Sequence, residues 1–394
     1  MRQILHFLTG LALSAAALVA QDSRNIGTIN VQADGTTIPV RIVGSTPELQ
    51  SLALTAFNAH GRYRPVADRG SYTLNFTAVG ASQVRVVITR GNAGTPVATE
   101  TATGTSLRNA LLRAADIAVT KTSGLRGFFA GKLACVSNRS GRSEIYTSDL
   151  FFGEVLMHPS NSKQIIAPHW APDGTRIIFT AYRPLFPDIY VLDLRSHNLS
   201  LLVSFKGTNS GGRFSPDGSR TAMVLSGEGN PEVYVGNAQG RQIRRLTFSS
   251  GVEAGPCWSP DGSRLVLTSE PGPQLYLLPA SGGSLSRLAT NISNYCAEPD
   301  WCRWDASKIA FTCGVGRGFQ IAVYDFSTRS SRIVSRAPYD AIEPCWMADG
   351  RHLVYTARTS SGRRLHLLDT ESGKATPLSP SSFGSSGNAS YLAP

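Results

Sequence analysis

Trp170-Ala-Pro-Asp-Gly174, Phe214-Ser-Pro-Asp-Gly218, Trp258-Ser-Pro-Asp-Gly262 and Trp346-Met-Ala-Asp-Gly350 are versions of one phrase, and their spacing decides the fold. Asp173, Asp217, Asp261, Asp305 and Asp349 each stand 44 residues from the next (217 − 173, and likewise onward). A constant period in the forties marks an array of one small unit. Within the phrase, proline presets φ, aspartate bonds its own backbone, and glycine takes the positive φ that follows. The phrase is therefore a tight hairpin turn, with glycine in the bulge that ends the loop.

The flanking text supplies the strands. A second strand follows each turn, as in Ile177-Ile-Phe-Thr180 and Leu353-Val-Tyr-Thr356. A third reads Asp188-Ile-Tyr-Val-Leu192 or Glu232-Val-Tyr-Val235, and a fourth Leu199-Ser-Leu-Leu-Val-Ser204 or Arg244-Arg-Leu-Thr247. Four short strands per ~40–45 residues is the signature of a propeller blade. Counting back one period from Asp173 reaches Phe129, and Lys132-Leu-Ala-Cys-Val136 fills the second-strand place there. Six blades result, over about residues 128–394. Tyr391-Leu-Ala-Pro394 echoes Trp170-Ala-Pro172 and is expected to supply the missing first strand of blade one, closing the ring. In blade five the phrase becomes Trp304-Asp305-Ala306, and Cys302 is expected in the tryptophan position. The turn anchors are Trp170, Pro172, Asp173 and Gly174; Pro216, Asp217 and Gly218; Trp258, Pro260, Asp261 and Gly262; Asp305; and Trp346, Asp349 and Gly350.

Ahead of the array the period is absent. Residues 1–20 read as a cleaved secretory signal peptide: Arg2, then an apolar run from Ile4 to Ala20 too short to span a bilayer. Residues 21–125 read as a small α/β domain and 126–394 as the propeller. Asn25–Val31 and Thr37–Val43 flank Asp34-Gly35 as a strand hairpin. Helices are expected over Pro47 to His60, stopped by Gly61, and from a Ser106 cap to Gly124. Strands are expected at Tyr72–Val79, Gln83–Thr89 and Val97–Thr101, and Gly124-Leu-Arg-Gly127 is the expected hinge.

The fold class is thus mainly β: a six-bladed β-propeller preceded by a small α/β domain. Net charge is +11, or +10 once Arg2 is gone, which favours acidic partners. No basic–aromatic block speaks for nucleic acid, and no later stretch speaks for membrane insertion. The six cysteines would enter an oxidising compartment as buried thiols or as disulfides. A link from Cys296 to Cys313 across the blade-five hairpin is one of 15 connectivities open to six cysteines. No Cys-x-x-Cys or Gly-x-Ser-x-Gly motif is present, and the histidines fall at unrelated blade positions. His169, ahead of Trp170 on an innermost strand, could face the channel. No catalytic residue, metal or cofactor is assigned.

Signal peptide, α/β domain and six Trp-x-Pro-Asp-Gly blades together resemble the TolB-like family of periplasmic propeller proteins of the Tol-Pal system. The likeness is strongest over Leu107-Arg-Asn-Ala-Leu-Leu-Arg-Ala-Ala-Asp-Ile117, Gly124-Leu-Arg-Gly-Phe-Phe129, Leu133-Ala-Cys-Val136 and the repeats. It implies a monomeric, non-catalytic periplasmic scaffold. A peptidoglycan-associated lipoprotein would dock on the propeller, and a TolA-like inner-membrane protein on the segment after the signal peptide. Carried over by position, the latter falls on Asp22–Gly35, including Asp22, Arg24, Ile26, Ile29 and Val31. Such a protein supports outer-membrane integrity and envelope constriction in cell division. The shorter α/β domain and the altered blade five leave open a glycan- or peptidoglycan-binding propeller, or a divergent propeller lyase or hydrolase.

Overall fold

The computed structural model describes residues 37–394, apart from Ala93, Pro184 and Leu185. The described residues belong to one compact unit. It opens with β1 (Ile38–Gly44), α1 (Pro47–Ala59), β2 (Tyr63–Pro65), β3 (Tyr72–Gly80), β4 (Gln83–Arg90), β5 (Pro96–Thr103) and α2 (Leu107–Ser123). Both helices are capped as their sequences dictate. Thr46 and Ser106 accept the Leu49 and Asn109 amides, Pro47 opens α1, and Gly124 closes α2 at φ 73°.

The sheet order is β2-β1-β3-β4-β5. Of the expected hairpin, the arm Thr37–Val43 is β1. Residues 38–40 of β1 pair in parallel with β2, and residues 40–44 in parallel with β3. The other arm, Asn25–Val31, lies outside the described residues. Strand β2, three residues ending in Pro65, carries too little pattern to be seen in the sequence.

Six four-stranded sheets follow. Blade one is built from Ser386–Leu392, Lys132–Ser137, Glu144–Asp149 and Leu156–His158, so the last strand of the chain completes the first blade. Tyr391 pairs with Leu133 as Trp170 pairs with Ile177, so the C-terminal strand takes the innermost place in the same register. Joining the two ends of the array in one sheet leaves no blade open.

The innermost strands of blades two to six are Gln164–Trp170, Asn209–Phe214, Val252–Trp258, Cys296–Trp301 and Asp340–Trp346. In blade five the aromatic place opposite Ile309 belongs to Trp301, not Cys302. The turn there holds one residue more, so Asp305 keeps its place while the strand before it slides back by one. The expected hinge is also not free. Asp116 of α2 accepts the Phe129 and Ala130 amides at 2.7 and 3.0 Å, and Phe128 and Phe129 are fully buried. A side chain at Gly127 would collide with Asp116.

Candidate functional site

Each innermost strand breaks its pairing once, three residues before its terminal aromatic. The residue there has positive φ in all six blades: Ala167, Gly211, Gly255, Glu298, Glu343 and Asn388. Glycine takes this conformation freely; a non-glycine residue pays ~1–2 kcal/mol for it. The bulge turns the next-but-one residue toward the axis, which gives a second ring: His169, Arg213, Cys257, Asp300, Cys345 and Ser390.

This second ring is the hub. The Arg213 guanidinium bonds Asp300 at 2.9 Å and lies 3.3 Å from the His169 ring. Burial works against the charge of Arg213, but Cys257, Asp300 and Cys345 facing it raise its pKa. Burial first, then Arg213, push His169 far below its ordinary value, so it is neutral. Hub side chains also tie blade to blade. Ser390 Oγ and Asp300 Oδ2 accept the amides of Trp170 and Trp346 at 3.2 and 2.8 Å. The indoles of Trp170, Trp258 and Trp346 donate to the hub carbonyls of the preceding blade. An ion-paired arginine therefore stands at the axis, beside a small cavity of about 80 Å³ that the six hub residues line. A metal ion at this level would face the positive charge of Arg213.

Toward the starts of the inner strands the channel opens into a cavity of about 350 Å³, lined by Gln164, Glu298, Glu343, Arg363 and Asn388 among others. Thr312 and the Glu343 amide donate to Glu298 at 2.7 and 2.9 Å. Thr356 and the Asn388 amide do the same for Glu343. Burial, then the charge of Glu343, raise the pKa of Glu298. Exposed Phe186, Phe205 and Phe248 lie in links on this same side of the blades.

At the opposite ends of the inner strands lie the turn anchors, and there one aspartate does more than shape a turn. Asp349 accepts from His352 Nδ1 at 2.6 Å, and His352 Nε2 reaches the His60 carbonyl, at the end of α1, at 2.5 Å. Two acceptors on one ring require protons on both nitrogens. Burial opposes that charge, but Asp349 outweighs it and raises the His352 pKa. Burial likewise opposes charge on Asp349, yet His352 holds it at about 2. The His60 ring, without a hydrogen-bond partner at either nitrogen, is driven to about 3 by burial and then by His352. Lys374 donates to the Asn58 carbonyl beside it, completing a cationic clamp on the α1 C-terminus. Arg351 braces the neighbouring Asp369 through two 2.7 Å bonds. Among the described residues, His60, Asp349 and His352 are one trio of ligand-type side chains with donor atoms within 4.8 Å. Both nitrogens of His352 are already committed to oxygens, so the trio reads as a proton-held joint between α/β domain and propeller.

The other anchors are turn-formers in place. Asp217 and Asp261 accept the amides and hydroxyls of Ser219 and Ser263, and Gly174, Gly218, Gly262 and Gly350 all have positive φ. Trp170, Trp258 and Trp346 are the interblade indoles just described; Pro172, Pro216 and Pro260 precede the turn aspartates, and Asp305 accepts from Ser307 at 2.6 Å. Asp22, Arg24, Ile26, Ile29 and Val31 lie outside the described residues. Of the histidines, the sequence pointed to His169 and missed the meeting of His60 with His352. The two rings had a signal: Ala167-Pro-His-Trp170, Gly255-Pro-Cys-Trp258, Glu298-Pro-Asp-Trp301 and Glu343-Pro-Cys-Trp346 share one pattern.

Comparison with known proteins agrees with this architecture. The crystal structure of TolB from Acinetobacter baumannii superposes with a TM-score of 0.80 at 23% identity, covering 91% of this chain and 97% of that one. The structure of putative TolB from Agrobacterium tumefaciens gives 0.51 at 18% identity, over 66% and 98%. The Tol-Pal system protein TolB of Methylobacillus flagellatus is 34% identical over 108 residues, which is 27% of this chain and only 25% of that relative. The TolB beta propeller domain model matches residues 119–389, well over half of the sequence. With six blades, the closing C-terminal strand and the preceding α/β domain in place, the chain belongs to the TolB β-propeller family.

Proposed function

We propose that this protein is a non-catalytic periplasmic scaffold of a Tol-Pal-like envelope system. Residues 1–20 direct export, residues 21–125 carry the α/β domain, and residues 126–394 form the docking disc. A peptidoglycan-associated lipoprotein docks over the wide mouth of the channel, and residues 22–35 contact a TolA-like inner-membrane protein by adding a strand to its sheet. The observation that carries this reading is the build of the channel. The Arg213–Asp300 pair stands at its axis and Glu298 and Glu343 line its mouth on a rigid, strained frame, with exposed aromatics in the links on the same side of the blades. Rigid loops around a polar centre form a recognition surface. A standard docking interface needs ~20–30 residues a side, which several blades together can supply.

Capture from envelope extract, with and without residues 21–36, tests the reading. The full chain retains both a lipoprotein and an inner-membrane protein; the truncated chain loses only the second. Identical partners for both forms would reject the role given to the N-terminal segment.

One observation favours a second reading. Two neighbouring carboxylates of which one is shifted upward are a pairing that acid–base enzymes use. Against it, each carboxylate here is engaged by a threonine and by the next blade's amide. Turnover of an oligosaccharide by the purified protein, abolished by Glu298→Gln, would establish the enzyme instead.

A further inference from the structure

The geometry points to a disulfide between Cys296 and Cys313, stapling the first hairpin of blade five. The two are direct partners across the inner and second strands. Gly314 donates to Tyr295 at 3.0 Å, whereas the Cys296 amide turns away to Pro273 in blade four. The cysteine pair therefore sits between ladder bonds, where Cα atoms approach to ~4.5 Å. That is inside the ~4.4–6.8 Å that a disulfide spans. Both residues are fully buried in one apolar cluster with Phe311 and Leu275.

The remaining cysteines have no such partner. Cys135 faces Tyr146, Cys257 faces Val266, and Cys345 faces Val354. Cys302 lies in the turn after Trp301. As thiols, Cys296 sits 3.4 Å from Thr290 Oγ1 and donates to the Ser293 carbonyl at 3.6 Å. Linking forfeits only these two long contacts.

Burial pushes the Cys313 thiol up to about 12, so the packed hairpin is slow to react. The bond forms while the hairpin assembles, by exchange with an oxidised thiol–disulfide oxidoreductase or with glutathione disulfide. One thiolate attacks the oxidant's disulfide and gives a mixed disulfide; the second thiolate displaces the oxidant's other sulfur. Two protons and two electrons leave the cysteines, and the oxidant departs as two thiols. Formation in the cell rests on the export reading above.

The test is oxidative refolding of the full chain in glutathione and glutathione disulfide, followed by alkylation and trypsin. Arg303 and Lys308 separate the two cysteines into different peptides, and fragmentation between Cys296 and Cys302, which share one peptide, identifies which of them is linked. The expected product is one linked species joining Cys296 to Cys313, with four alkylated cysteines and a melting temperature that falls by ~5–10 °C on reduction. Cys296→Ala/Cys313→Ala should fold and lose the response to reductant. Free thiols at both positions after refolding, or Cys313 joined to another cysteine, would overturn the inference. A link on refolding but free thiols in protein taken from cells would support the geometry and instead remove the export reading.

Discussion

Two clusters of ionisable groups, at the hub and at the domain joint, are built on opposite plans. At the hub, Arg213 and Asp300 occupy one equivalent position in different blades, so the propeller's own repeat brings them to the axis. At the domain joint, His60 comes from the end of α1 and His352 from blade six, 292 residues later, and no period relates them. The hub holds the disc together across its centre through fixed charges. The joint holds a second domain to one face of the disc through a proton, and a proton can be lost. Repetition therefore makes the disc robust, whereas the domain contact is open to titration.

The largest effect should come from breaking the ring that both sites depend on. Deleting residues 386–394 removes the inner strand of blade one together with Ser390 and Tyr391. It should lower the melting temperature by on the order of 10 °C or more, read by calorimetry. An unchanged melt would show that the hub does not need closure. Next, Asp300→Ala leaves Arg213 buried without its partner and should cost ~3–5 kcal/mol in denaturant unfolding. His352→Ala breaks only the joint. It should cost ~2–3 kcal/mol and open the 124–131 junction to protease while the propeller stays folded.

pH sharpens the contrast. The folded pKa of His352 is raised, so its contribution is complete below the unfolded value near 6.5 and is lost as pH climbs through the folded one. His60 is depressed to about 3, so its contribution is complete above about 6.5 and is lost as pH falls toward 3. The joint should thus be firmest near neutrality and weaken in both directions. Protease cleavage at the junction, followed across pH in wild type and His352→Ala, checks this; a flat alkaline limb in wild type would refute the protonated joint. The smallest effect concerns the bulges. Ala167 holds positive φ where the next two blades have Gly211 and Gly255. Ala167→Gly should stabilise by ~0.5–1 kcal/mol, since relieved strain exceeds the added unfolded-state entropy.

What the sequence made legible follows the same division. The aspartate period exposed the blades and their number, and the Tyr391 echo exposed the closing strand, because stacked sheets about one axis demand equal spacing. Blade five misled because Asp305 kept the period while its turn gained a residue; the Glu298-Pro-Asp-Trp301 pattern marks the true strand end. Helices α1 and α2 were legible from caps and apolar spacing. The neighbours of β1 were not, since parallel pairing with β2 and β3 leaves no turn signature between paired strands. The proton-held joint was invisible for the plainest reason: neither His60 nor His352 carries any local mark of the other.

The most direct measurement is titration calorimetry of a purified peptidoglycan-associated lipoprotein domain into the full chain and into a chain lacking residues 21–36. A scaffold whose disc does the docking should bind with the same affinity in both forms, and Glu343→Arg at the mouth should weaken both at least tenfold. Absence of binding to either form, or binding indifferent to the mouth, would contradict the account.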